Sequence, residues 1–405
     1  MKILIVSQYF WPEEFRINDL AAGLRERGHD VTVLTGLPNY PQGTLFPGYG
    51  FRRRPAEDYR GVKILRVPLI PRGSGSGWRL ALNYLSFALA ASVLGPFLCR
   101  DRYDAIFVYE ISPVTVGLPA IVLKSLRRAP IHFWVLDLWP ESLTVAGAVR
   151  SPVVLGAVGR LVRFIYARCD HILVQSRGFV PRVAALSPPG QSISYFPSWA
   201  EDVYTRAACS ATASSSRPPR ELRLMFAGNI GEAQDFGVVL SAAEKLKADP
   251  DIRWTVVGEG RLYSWAREQV RARGLEDRVN FLGRRPVDAM PGLFAEADAL
   301  LVTLKADPIM GLTIPGRIQS YMASAKPMIA MLDGEGARVV EESGSGLTCP
   351  AGDSEGLARA VLSFQMISHE ERGAMGGRGR AYYDAHFSRK RALDQVEGWL
   401  ASIPR

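Results

Sequence analysis

The stretch from Lys305 to Pro327 (KADPIMGLTIPGRIQSYMASAKP) has the makings of an anion-binding turn. Gly311 ends an irregular loop. Pro315 suits the first turn of a helix, where its fixed φ fits and its missing N–H is not needed. Backbone N–H groups around Leu312, Thr313 and Gly316 are then free to face an anion. Arg317 falls in that first turn, where a cation opposes the helix dipole. A bound phosphate accounts for it better than helix stability does. Lys305 is a second cation, at a strand end. The plainer alternative is two solvated charges.

A second loop, Phe226 to Asp235 (FAGNIGEAQD), follows an apolar β-rich run and precedes a helical one. Gly228 and Gly231 let the backbone approach a ligand, and the helix start favours an anion. An ordinary strand-to-helix turn reads the same way. Other chemistries find no support. No G-x-G-x-x-G follows the first strand, Gly258-Glu259-Gly260 lacks the third glycine, and there is no Walker A motif. Asp249-Pro250-Asp251 reads as a turn. The histidines, at 29, 132, 171, 369 and 386, show no ligand spacing. Cys99, Cys169, Cys209 and Cys349 form no C-x-x-C pair. No metal is expected.

The elements that must carry these loops alternate between strand and helix. Strands are expected at 2–7, 31–35, 62–67, 105–109, 131–136, 171–175 and 193–196. Residues 16–28 show helical spacing and stop at Gly28. Such β-α-β units imply parallel sheets. Residues 205–220 (TRAACSATASSSRPPR) read as a linker. A second series follows, with strands at 222–227, 253–258, 279–282, 299–303 and 327–331 and helices at 236–247 and 261–274. From about 355 the chain reads as helix throughout. The expected architecture is α/β, with two Rossmann-like domains whose parallel sheets face across a cleft that holds the ligands.

At 405 residues, with 47% hydrophobic and 22% charged, the chain is globular and too long for one domain. Its charge is uneven. Residues 1–200 carry 23 Lys and Arg against 13 Asp and Glu; the rest carry 26 against 27. A basic half attracts phosphates, whether of nucleic acid, anionic lipid or a substrate. No nucleic-acid module or aromatic-basic interleaving is visible. The opening MKILIVSQYF reads as a buried strand, not a signal peptide, and cytoplasmic residence is expected. Residues 80–99 (LALNYLSFALAASVLGPFLC) hold no charge. They are long enough to span a bilayer, but Asn83, Ser86, Ser92, Gly95 and Pro96 favour a buried or interfacial helix.

Several motifs resemble GT-B glycosyltransferases of family 4. Tyr321 to Ala330 (YMASAKPMIA) is similar to that family's E-A-M-A-x-G-x-P-V-I-A segment. So are Val256 to Gly260, Phe281 to Arg284, Asp333 to Gly336, Gly344 to Leu347 and Pro350 to Asp353. Gly28 to Val33 and Asp170 to Ser176 match in the first half. The departures are specific. Leu312 and Ser320 stand where the family has two glutamates, and Asn229 and Gln234 stand where it has Arg and Lys. The N-acetyl-L-fucosamine transferases of O-antigen and capsule synthesis depart similarly. They also resemble the chain at Trp11-Pro12-Glu13, Pro38 to Gly43, Asp137 to Ser142 and Gly228 to Gly231.

The resemblance implies domains at 1–204 for the acceptor and 221–380 for the donor, with a C-terminal helix over 381–405 packing back on the first. It implies a UDP-sugar held by Gly228, Asn229, Gln234, Arg284, Lys305, Gly311, Leu312, Thr313, Pro315, Arg317 and Ser320, without metal, and retention of anomeric configuration. Asp137 and Glu141 are its candidate catalytic groups, to take the acceptor hydroxyl proton or bind a sugar hydroxyl; Asp137 is alternatively a helix N-cap. Glu14, Arg16 and Asn18 are candidate acceptor contacts. The implied acceptor is a sugar on a polyprenyl diphosphate. Arg52-Arg53-Arg54 and the 80–99 helix would meet an anionic membrane surface. A non-hydrolysing UDP-sugar epimerase of the same fold is the competing reading.

Overall fold

The computed structural model describes residues 1–50, 57–145, 149, 151–207 and 221–403. The chain divides into two compact units, Met1–Pro197 with Leu393–Arg405, and Ser198–Ala392. The expected boundary at 204 therefore moves to 197. Residues 205–207 are not linker; they close a helix, Asp202–Ala207, which Tyr204 anchors by stacking on Phe294 at 5.5 Å. The rest of the expected linker, Cys209 and Arg52 to Arg54 lie outside the described residues.

The first unit holds β1 (Lys2–Val6), β2 (Asp30–Gly36), β3 (Glu57–Tyr59), β4 (Val62–Val67), β5 (Ala105–Glu110), β6 (Ile131–Val135), β7 (His171–Val174) and β8 (Ile193–Tyr195). Their order is β3-β4-β2-β1-β5-β6-β7-β8, all parallel except β3 against β4. β5 and β6 are buried at every position, as strands covered on both faces must be. The second unit holds β9 (Leu222–Ala227), β10 (Ile252–Val257), β11 (Val279–Gly283), β12 (Ala299–Thr303), β13 (Met328–Met331) and β14 (Gly346–Cys349). Their order is β11-β10-β9-β12-β13-β14, all parallel.

Two strands escape the sequence reading. β3 is three polar residues on an edge, and β14 opens on a glycine against β13. The C-terminal region also breaks where one helix was expected. Asp353 caps Ser354–Gln365 by accepting from the Gly356 N–H at 2.8 Å, and Ser368 caps His369–His386 by accepting from Glu371 at 3.2 Å. The last helix, Arg389–Ser402, joins the first unit from Leu393 onward. There Glu397 pairs with Arg27 and His29, and Trp399 sets its ring against His171 and Phe196.

The apolar segment is a helix, Gly77–Leu98. By length and composition it could cross a bilayer, but its two faces differ. Asn83, Phe87, Ala88, Ala91 and Gly95 are buried in the unit. Asn83 accepts from Gln8 Nε2 at 2.7 Å and donates to the Ile70 carbonyl at 2.6 Å. Trp78, Leu82, Leu85, Leu89, Val93 and Phe97, three or four residues apart, form an exposed apolar stripe; Leu89 is 68% and Phe97 66% exposed.

The loops after β1 and β2 meet on one buried carboxylate. Glu13 accepts from the N–H groups of Phe10 (3.3 Å), Asn39 (2.8 Å) and Tyr40 (2.7 Å). Burial outweighs these bonds and raises its pKa to about 7. A folded-state value above the usual 4.5 means the stabilisation is full at low pH and declines as pH rises through 7. Glu13→Ala is expected to lose about 2 kcal/mol in urea unfolding, since buried N–H groups lose their acceptor. The gap from wild type should be wider at pH 5 than at pH 8.

Candidate active site

In the first unit the candidate groups sit beyond the carboxyl ends of β1, β5 and β6. Asp137 follows β6 and precedes a short helix, Glu141–Val145. It is too far upstream to cap that helix, which corrects the N-cap alternative. Its N–H donates to Glu110 Oε2 at 3.4 Å. Burial raises its pKa to about 6, although Ser142, the Leu138 N–H, Trp139 and Ser112 pull the other way. Glu141 is half-buried, and its Oε2 has no hydrogen-bond partner. Both carboxylates bear on Tyr166, as Glu110 does. The exits of β5 and β6 thus gather three acidic groups, of which the sequence reading named two.

The acceptor contacts fare differently. Asn18 is buried and braces its own loop, accepting from Trp11 N–H at 3.2 Å and donating to the Glu13 carbonyl at 2.7 Å. It has no amide group left to face a ligand from solvent, so it is a structural residue. Glu14 is exposed, and Arg16 begins the helix Arg16–Glu26 beside Tyr109. The surface nearby is aromatic instead. Tyr9 stacks with Phe15 at 5.2 Å, Tyr40 packs on both, and the Arg72 guanidinium lies 4.9 Å over Tyr40. Tyr84, from the apolar helix, meets Trp139, two residues from Asp137, at 6.4 Å. Tyr40 and Trp139 fall in motifs matched in the sequence, but Tyr9, Phe15, Arg72 and Tyr84 were not singled out, because scattered aromatics look like core.

In the second unit the ends of β9, β10 and β11 stack on backbone. Gly228 N–H donates to the Val257 carbonyl and Gly258 N–H to the Gly283 carbonyl, both at 2.9 Å. A Cβ on Gly258 would lie 1.9 Å from the Gly228 oxygen, and both glycines hold positive φ (136° and 145°). Arg317 lies against this stack. A Cβ on Gly228 would sit 3.3 Å from its Cδ, and its guanidinium covers the Phe226 ring at 4.8 Å. Its Nη1 is buried with no hydrogen-bond partner, and burial lowers its pKa. The Tyr321 side chain hydrogen-bonds the guanidinium, but the unpartnered Nη1 beside an open glycine backbone is suited to an anion.

The other donor candidates border the same edge with less to offer. Asn229 lies against Gly231 and Gly260. Gln234 closes its own loop by accepting from Gly231 N–H at 3.1 Å. Lys305 is exposed and tied by its N–H to the Ala233 carbonyl at 2.9 Å; Arg284 is exposed after β11. The expected row of free N–H groups is shorter than read. Gly311, Leu312 and Thr313 donate to Asp307, Ile309 and Met310 in a 3₁₀ turn. Pro315 precedes the helix Gly316–Ala323 instead of lying in it, which leaves Gly316 and Arg317 at the open start. Ser320 Oγ donates back to the Gly316 carbonyl at 3.3 Å. The Asp249 carboxylate accepts from Asp251 N–H and Gln365, as a turn residue does.

Comparison with known proteins follows this division. Residues 14–199 match the family described as "Glycosyl transferase 4-like domain", and 221–365 match "Glycosyl transferases group 1". "Probable glycosyltransferase WbjE" of Pseudomonas aeruginosa is 27% identical over 68% of this chain and 71% of its own. WcaI of Escherichia coli, named for colanic acid biosynthesis, is 24% identical over 80% and 81%. The Anabaena HepE crystal structure with UDP and glucose shares the fold over 100% of both chains, with a TM-score of 0.68 at 16% identity. The epimerase reading falls with these matches. Matched in both halves and sharing this fold, the chain belongs to the group 1, family 4-like glycosyltransferases of GT-B fold.

Proposed function

We propose that the enzyme moves a sugar from a UDP-sugar to a sugar carried on a polyprenyl diphosphate, in surface polysaccharide synthesis. The observation that carries the donor half is the buried, unpartnered Arg317 Nη1 against the Gly228 backbone. The UDP complexes of HepE and the naming of WcaI for colanic acid support the reading. In it, the diphosphate lies along Gly228, Gly316 and Arg317, with Lys305 nearby. These preorganised donors stabilise the charge that develops on UDP without a metal ion. Asp137 takes the acceptor proton, and Glu141 holds a sugar hydroxyl. Anomeric configuration is retained. An N-acetylated 6-deoxy sugar such as N-acetyl-L-fucosamine is the proposed donor.

The lipid acceptor accounts for the apolar helix. Its exposed stripe lies on an anionic membrane surface, with Arg79 and Arg100 flanking the segment. A spanning orientation would strip Asn83 of its partners, so the helix lies in the interface.

Three outcomes are expected. In a UDP-release assay with a panel of UDP-sugars, Arg317→Ala should raise donor KM about tenfold or more, with Arg317→Lys between; an unchanged KM with either variant sinks the diphosphate assignment, and a chelator should leave the rate intact. The base must be ionised, so kcat/KM should fall about tenfold per pH unit below about 6. Wild type should sediment with phosphatidylglycerol vesicles, and Leu85→Glu with Leu89→Glu should stay in solution while still using a short-chain soluble acceptor.

A further inference from the structure

Glu110 ends β5, is 1% exposed, and is the sole charged residue of that strand. It is fixed at two points. Its carbonyl accepts from Leu136 N–H at 2.9 Å, and its Oε2 from Asp137 N–H at 3.4 Å. Its Oε1 is buried with no hydrogen-bond partner. The titratable groups bearing on it are Asp137 after β6, Tyr109 of its own strand and Tyr166 of the helix Pro152–Tyr166; Arg16 in turn acts on Tyr109. Two carboxylates in one dry place do not both ionise near neutral pH. Their surroundings decide which keeps the proton. Asp137 has the Leu138 N–H and the Ser112 hydroxyl beside it, and Ser142 Oγ and Trp139 Nε1, which have no other hydrogen-bond partner, are near enough to favour its charge. Glu110 has one long bond to that carboxylate oxygen and an orphaned second oxygen.

We infer that Glu110 is a positioning residue of this reaction: it keeps the shared proton, holds the Asp137 backbone, and so leaves Asp137 as the one ionised carboxylate of the pair. Burial and the Asp137 charge act in the same direction, holding the Glu110 carboxyl well above the usual carboxylate range. The inference rests on Asp137 as the base. In that step Asp137 accepts the acceptor hydroxyl proton, and the freed oxygen pair bonds to the sugar anomeric carbon. The bond from that carbon to the phosphate oxygen breaks on the same face of the sugar, so its electron pair leaves on UDP and the anomeric configuration is retained. Glu110 gains and loses no proton and touches no substrate. Its task is to keep a second negative charge from holding a proton on Asp137.

The test uses the full chain, the transfer assay and pH profiles of kcat/KM. Glu110→Gln copies the neutral acid and should keep kcat within about twofold, with the acid limb unmoved. Glu110→Ala removes the acceptor of the Asp137 N–H and should lower kcat about tenfold or more, with donor KM unchanged. An acid limb that moves down by about half a unit or more in Glu110→Gln would mean a charged Glu110 in the wild type, and overturns the inference. So does Glu110→Ala at the wild-type kcat. Melting curves check that both variants fold; if the alanine variant does not, the glutamine pH profile decides alone. Asp137→Asn separates the two readings. Full activity there overturns the base assignment itself, whereas an inactive Asp137→Asn with a shifted Glu110→Gln limb overturns the Glu110 role only.

Discussion

A parallel sheet sends every strand out at the same edge, and no hairpin joins neighbouring loops there. Loops that meet at that edge come from distant parts of the chain and must be fastened by something other than the ladder. In the first unit the fastening is polar and buried. Glu13 holds the loops of β1 and β2 through three N–H groups. Asn83 ties the apolar helix to Gln8 and Ile70, and Glu110 ties the β6 exit to β5. The second unit solves the same problem without side chains. Gly228, Gly258 and Gly283 let three strand exits touch backbone to backbone, and Arg317 lies on the result.

The two solutions suit different chemistry. Burying a carboxylate raises its pKa even where hydrogen bonds pull the other way, as at Glu13 and Asp137. A unit built that way is suited to accepting protons. A glycine stack presents amides and leaves room, which suits a diphosphate. The basic excess of the first 200 residues therefore lies in the other unit from the glycine stack.

Most of the fold was legible because buried parallel strands are unbroken apolar runs. Twelve strands announced themselves so. β3 and β14 did not, being short, polar or glycine-led and defined by a neighbour. Of the candidate site, the placements of Arg317 in a first helical turn and of Asp137 after an apolar strand were legible, because residue type alone limits the choice there. It was not legible where the sequence offers equal candidates. Glu13 and Glu14 are adjacent, yet the first is buried as a clip and the second faces solvent. Asn18 looks free in sequence and is used up by its own loop. Glu110 sits at the end of an apolar strand, where one acid reads as a strand terminus. Only the β5–β6 pairing brings it to Asp137.

The course of the last helix has a consequence for how the molecule is made. Residues up to Pro197 leave the ribosome long before Leu393, yet both belong to the first unit. Until Trp399 arrives, the side of that unit bearing His171 and Phe196 lacks its aromatic cover, and Arg27 and His29 lack Glu397. The unit synthesised first is thus completed last, after the whole of the second has emerged. The first unit is thus not a single transplantable segment of sequence: it is a discontinuous domain, with the second inserted between its parts.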